Sequence, residues 1–445
     1  MNVKELQAER ISIFNDVYNN IIPKRVPVNL MFGFEFTAEY GGFDIREAQW
    51  NPGMIREACE KVCRDIYSDV LPASGASLRF PAHYKILGSR SFVMGANGFM
   101  QHPEVEGMSA EDYDYLISNP YDCLLERVIP RLYTNLDLSD PVNMAKTLAK
   151  SCLAFDRFLQ EGATATAGLV EKYGYYPGSP PGTTGFGVAP FDFLSDLLRG
   201  FSGISIDVRR RPEKILEACD ALFPLLFKFS MPKVINEHST VIYPLHMPPY
   251  LREKDFAKLW WPSFMRMVEG YASLGINNHL FCEQDWMRYI DYLQELPTNT
   301  IISFEYGDFK LIKEKLGKKY VISGMYPATM LKTHTKEQCI DKAKEMLDIL
   351  APGGKYIFGL DKGVLSVKDI QVENIIAVAE YVRDNGRYSN AGEIAGEPVD
   401  WNFEPIEMPV IKSKYFTALD SDDIGDKAVY EFEERMFDYF MRLLV

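Results

Sequence analysis

Five apolar runs in the second half of the chain each end in groups that can bind a metal or move a proton. VIYPL is followed by His246. NNHLFC carries His279 and ends in Cys282, with Glu283 and Asp285 just beyond. TIISF leads into Glu305, Tyr306 and Asp308. YVISGM leads into Tyr326, and YIFGL into Asp361 and Lys362. His, Cys, Glu and Asp converging from separate strand ends supply the N, S and O donors that zinc takes in a tetrahedron, and a catalytic zinc leaves one position open.

Each group also has a structural reading. Cys282 could be a small core hydrophobe, as free cysteines usually are. Glu283, Asp285 and Asp308 could cap the helices that follow, where carboxylates are favoured. His279 could sit lower in the fold as a hydrogen-bonded core residue, and Asp361 with Lys362 could be a rim ion pair. Glu305 is harder to dismiss, because a carboxylate in an apolar strand needs a partner. Trp50, Tyr175, Tyr176, Phe186, Trp286 and Tyr306 fall near loops or strand ends, where aromatic walls suit a flat apolar substrate. His83, His102 and His334 form no constellation.

These groups need strands to aim them. The apolar runs alternate with helical patterns at Arg252–Ser273, Asp285–Leu296, Asp308–Leu316, Lys336–Leu350 and Val372–Asn385. Five strand–helix units in a row predict a parallel sheet with helices outside. With a further β-like run near residue 27, the fold class expected is α/β. Its form is a (β/α)8 TIM barrel with an N-terminal helix over Met1–Asn20 and a C-terminal extension. Neither GxGxxG nor GxxxxGK[ST] occurs. The segment Gly174–Gly187, with five glycines and three prolines, reads as a loop, either a lid or a surface excursion.

The domain boundaries expected are 1–390 for the barrel and 391–445 for an acidic strap and helix. Of the net charge of −14, the strap holds −8, from 13 Asp plus Glu against 5 Lys plus Arg. Its apolar stripe Val429, Phe432, Met436, Phe440 and Leu443 should cover the barrel or a second subunit of a homodimer. Such acidity argues against nucleic-acid partners and against anionic membranes. Seven cysteines without a CxxC pair, and no long apolar run, point to a reducing cytoplasm rather than a disulfide scaffold.

The segments EKDFAKLWWPSFMRMVEGYASLGI, DFKLIKEKLGKKYVISGMYPATML, KEQCIDKAKEMLDILAPGGKYIFG and VENIIAVAEYVRDNGRY resemble the uroporphyrinogen decarboxylase superfamily. That superfamily includes the cobalamin-dependent methyltransferases. RVPVNLMFGFE and DIYSDVLP are similar to its first strand and second helix. The likeness covers residues 10–388 and is strongest over 250–388. It implies a (β/α)8 barrel, in agreement with the strand–helix rhythm.

The decarboxylases of that family carry an Arg-rich segment after the first strand. Here MFGFEFTAEYGG stands instead, with Glu35 and Glu39. The methyltransferase branch binds zinc through His-x-Cys, and here His279 is one position too far from Cys282. The resemblance therefore implies a mixed zinc site drawn from Cys282, Glu283, Glu305, Asp361 and His279. It implies transfer of a methyl group from an O-methylated (methoxyaromatic) substrate to the Co(I) corrinoid (cobalamin) of a partner protein, as in anaerobic O-demethylase systems. Glu305, Tyr306 and His246 are the catalytic residues expected, with Glu283 a further candidate for the acid. Glu35, Trp286 and Tyr326 are expected to contact substrate. The other readings are a corrinoid-to-acceptor methyltransferase using tetrahydrofolate or a thiol, a decarboxylase, and a metal-free binding protein.

Overall fold

The computed structural model describes residues 2–77, 79–298, 300–400, 402–416 and 424–445. A small antiparallel hairpin pairs β1 (Val93–Met94) with β2 (Met100–Gln101). The main sheet is parallel and six-stranded. It runs in chain order through β3 (Thr184–Phe186), β4 (Thr240–Leu245), β5 (Asn277–Asp285), β6 (Thr300–Tyr306), β7 (Val321–Tyr326) and β8 (Tyr356–Leu360). Helices Trp261–Ser273, Phe309–Leu316, Lys336–Leu350 and Val372–Asn385 follow β4, β6, β7 and β8. The expected helix after β5 is only a short turn, Ile290–Leu293. The protein is therefore a mixed α/β fold, and a parallel sheet joined this way is buried on the helix side.

Strand alternation sets the geometry of the site. On β4 the odd residues Val241, Tyr243 and Leu245 are buried, and Thr240, Ile242 and Pro244 are not. On β5 the even residues Asn278, Leu280 and Cys282 are buried, and Asn277, His279, Phe281 and Glu283 face the other way. Successive side chains of a strand point to opposite faces, so each strand offers one set to the helices and one to the open face.

The ladder continues past β8 through single parallel pairings. Val28 pairs with Phe358, and Val70 with Tyr176. The Asn29 N–H donates to the Phe358 carbonyl at 2.8 Å, and the Asp69 N–H to that of Val28 at 2.8 Å. A buried ion network pins this seam. Asp69 accepts from Arg25 Nη1 at 2.6 Å, Arg10 Nε at 3.1 Å and the Val28 N–H at 2.8 Å. Burial opposes the charge on Asp69, and Arg25 outweighs it, so its carboxyl titrates below the ordinary range. Removing one partner of such a buried pair costs about 3–5 kcal/mol, because the other charge is left alone.

Two sequence expectations need correction. The Gly174–Gly187 segment is not all loop: Tyr176 joins the ladder and β3 lies inside it. Its prolines sit in the turn ahead of β3. Gly185 is required there because a Cβ would come within 1.9 Å of the Ser230 carbonyl oxygen. The terminal stripe does not act as one face either. In helix Ile424–Leu444, Phe437, Tyr439, Met441, Leu443 and Leu444 are buried, whereas Val429 and Phe432 are exposed. The buried end packs on its own chain: Phe437 meets the Tyr121 ring, and the Tyr439 hydroxyl donates to Ser151 at 2.6 Å. All seven cysteines are free thiols. Among the described residues no helix is long and apolar enough to cross a membrane.

Candidate functional site

The carboxyl ends of β3, β4 and β5 open on a cavity of about 330 Å³. Phe186, Pro244, His246 and Glu283 bring strand-end side chains to it. Asp192, Asp196, Arg79 and His102 come from elsewhere in the chain. His246 follows Pro244 by two residues and therefore shares its face. Its Nδ1 lies 3.0 Å from Asp196 Oδ2. Its backbone N–H donates to Asp192 Oδ2 at 3.0 Å, and Trp260 Nε1 donates to Asp192 Oδ1 at 2.6 Å. Asp192 is buried, and it fixes the strand end while Asp196 fixes the ring.

Asp192 and Asp196 sit on a short helix that begins at Pro190 and widens to an i→i+5 pattern over Phe193–Arg199. Such widened turns recur at functional sites. Gly187 links β3 to this helix, and any Cβ there would strike the Tyr243 ring, 2.3 Å away. The backbone is also held in unusual conformations at the strand ends. Gln284 has φ 61° and Met325 φ 75°, both in the left-handed region that side chains disfavour. Strain of this kind clusters at functional sites.

The charges divide clearly. The hydrogen bond to Asp196 raises the His246 imidazole to about 9, against burial, so it is an imidazolium at neutral pH. With Nδ1–H directed at Asp196, its Nε2–H is left to donate. Burial raises the Asp192 and Glu283 carboxyls above their ordinary range. Burial and then Arg79 push His102 down. The Arg79 guanidinium lies over the Phe92 ring at 4.2 Å, and His102 stacks on that same ring at 4.4 Å.

Glu305 belongs to a neighbouring cluster. It accepts from Lys362 Nζ at 3.1 Å and from the Gln284 N–H at 2.8 Å. Burial works to raise its pKa, but these two donors outweigh it and leave it lowered. Its charge is felt at Glu283. Asp361 accepts from the Ala328 N–H at 3.0 Å, and burial raises its pKa.

The remaining expected site residues lie apart. Cys282 points to the helix side, fully buried, and burial pushes its thiol well above the ordinary value. His279 lies four residues below Glu283 on the open face, bonded to Ser303 Oγ at 2.8 Å, and burial lowers it to about 4. Trp286 is buried among Phe256, Trp260 and Tyr289, and its Nε1 donates to the Glu283 carbonyl at 2.9 Å. The Tyr326 hydroxyl donates to the Cys339 carbonyl at 3.0 Å. Tyr306 is exposed, and Glu35 accepts from Ser77 Oγ at 2.7 Å. Among the described residues, no group of three or more His, Cys, Asp or Glu side chains is arranged to hold a metal ion. Of the five expected zinc ligands, Cys282 takes the face of β5 opposite to His279 and Glu283.

Asp192, Asp196, Arg79 and His102 are the site residues that the sequence reading missed. The two aspartates lie on the helix that follows β3, and β3 is only three residues long, too short to give an apolar run that points to them. Nothing in the loop-rich stretch from Leu71 to Glu106 marks Arg79 or His102 as neighbours of His246. The chain matches no protein-family model, and no curated protein matches it.

Proposed function

We propose that the chain is a corrinoid-dependent methyltransferase of the donor side, moving a methyl group from a methoxyaromatic compound to the Co(I) corrinoid of a partner protein. In this reading the six-stranded sheet and the two single pairings belong to a closed (β/α)8 barrel of the uroporphyrinogen decarboxylase type. The observation that carries it is the His246 imidazolium held by Asp196 at the carboxyl end of β4, the end at which such barrels keep their reactive groups.

Cleaving an aryl methyl ether breaks the methyl C–O bond and expels a phenolate, a poor leaving group. A cation with a free N–H next to that oxygen stabilises the developing charge and passes it a proton. A donor with a pKa of about 9 remains protonated at neutral pH and lies close enough to a phenol to transfer its proton without a large penalty. The methyl group leaves with neither electron of the broken bond and is taken by the Co(I) nucleophile. Asp196 keeps the imidazolium oriented, and Glu283 beside it adds a second group that can hold a proton. Phe186 and Tyr250, whose ring lies 5.8 Å from that of His246, offer aromatic walls to a flat substrate.

Incubating the purified chain with a Co(I) corrinoid protein and a panel of methoxyarenes tests the proposal. Conversion of a methoxyarene to its phenol with loss of the Co(I) spectrum is expected. No turnover across the panel with an active corrinoid partner would overturn it.

A further inference from the structure

The open face of the sheet borders two cavities, one above the other. Along β3, Thr184 lines the lower and Phe186 the upper. Along β4, Ile242 lines the lower and Pro244 the upper. Along β5, His279 lines the lower and Glu283 the upper, with Phe281 between them. The lower cavity, at the amino ends of the strands, measures about 1050 Å³, the size of a large ligand pocket. A parallel barrel normally fills this region with branched side chains. Here Met31, on the segment that pairs with β8, keeps 64% of its surface exposed and lines the void.

Its chemistry narrows the occupant. One wall is aromatic: Phe14 and Tyr176 stack at 4.3 Å, and Tyr18 lies 6.1 Å from Phe14. Amides and hydroxyls line much of the rest. Asn29 Oδ1 and Thr300 Oγ1, both on lining residues, are buried with no hydrogen-bond partner among the described residues. A buried acceptor left unpaired is costly, so a donor is wanted there. Charge is scarce: the Lys355 ammonium is turned to the Lys319 and Glu397 carbonyls, and the exposed Glu237 lies 3.7 Å from His238. An ionic ligand would meet only the exposed Glu237 and a Lys355 already committed to two carbonyls, and an aliphatic one would strand the amides.

We propose that the lower cavity is a second ligand site, taking a neutral planar heteroaromatic molecule that lies along the Phe14–Tyr18–Tyr176 wall and donates an N–H to Asn29 Oδ1. The site is independent of the methyl-transfer reading, because its lining shares no residue with the upper cavity.

Calorimetric titration of the full chain with pterin, lumichrome and guanosine, and with methyl glucoside and benzoate as contrasts, tests it. Saturable binding of a heterocycle is expected, weakened by about tenfold in Asn29→Leu and weakened also in Met31→Trp, which narrows the void. Binding of none of the three heterocycles, binding of the sugar or benzoate alone, or heterocycle binding unchanged in Met31→Trp would overturn it. Hydrogen exchange on the unaltered chain gives a readout that does not depend on the variants folding. Ligand-dependent protection over 12–20 and 300–302 supports the site, and protection confined to 186–200 and 244–248 refutes it.

Discussion

The two ends of the sheet differ in chemistry although the same strands build both. At the carboxyl end, Asp192, Asp196, His246, Glu283 and Glu305 crowd together, and each carboxylate or imidazole perturbs another. Left-handed backbone does not separate the two ends: Gln284 and Met325 take it at this one, Asn20 and Lys355 at the other. At the amino end the lining is mostly neutral, with amides, hydroxyls and the rings of Phe14, Tyr18 and Tyr176 among those around a larger void. Charges that sense one another can move protons, whereas neutral amides around a void can only recognise shape and hydrogen bonds. The carboxyl end therefore suits the proposed reaction, and the amino end the proposed binding without reaction.

The largest effect expected is from His246→Gln. It keeps hydrogen-bonding capacity but removes the cation, and should lower methyl transfer by about 10²–10⁴-fold. Binding in the lower cavity should be unchanged. Single-turnover decay of the Co(I) spectrum measures the first, and calorimetry the second. A rate within a few-fold of the parent would move the acid elsewhere and erase the functional distinction between the two ends.

Asp196→Asn should act less strongly and with a pH signature. The active form is the imidazolium, so kcat falls as pH rises through the His246 value of about 9. Without the Asp196 charge that alkaline limb should move down towards the ordinary histidine value of about 6.5. The stability linkage has the same sign. A raised imidazole pKa stabilises the fold fully below the ordinary value, and that contribution is lost as pH rises through about 9. A limb that stays in place in the variant would show that Asp196 does not set it.

The smallest effect is expected at Cys282. Its side chain is buried on the helix side of β5, so Cys282→Ala should cost about 1 kcal/mol in denaturant melts through lost burial. The rate should remain within about twofold, since the thiol faces away from both cavities. A collapse of activity, or activity removed by a chelator and restored by zinc, would give the strand ends a metal role.

The five strands and four of their five helices could be read directly, because apolar runs and helical periods are local patterns. His246 and Glu283 were legible for the same reason, as polar residues at the ends of apolar strands. The face each side chain takes was not. Cys282 and Glu283 are adjacent in sequence, and a one-residue step in a strand reverses the side, so only the register could separate them. Asp196 and His246 are fifty residues apart, and nothing local links the helix after β3 to the end of β4. Gly185 and Gly187 read as loop because glycine signals freedom, whereas here they allow close approach to Ser230 and Tyr243.

By itself, then, the sequence determined the parallel α/β architecture of its second half, its acidic tail and the polar ends of its strands. Tertiary structure decided which of those ends meet and which charges share a cavity. It also decided that the terminal stripe is divided between core and solvent. The physical reason is that periodicity is encoded over a few residues, whereas pKa values, cavities and partners depend on distances between segments brought together only by folding.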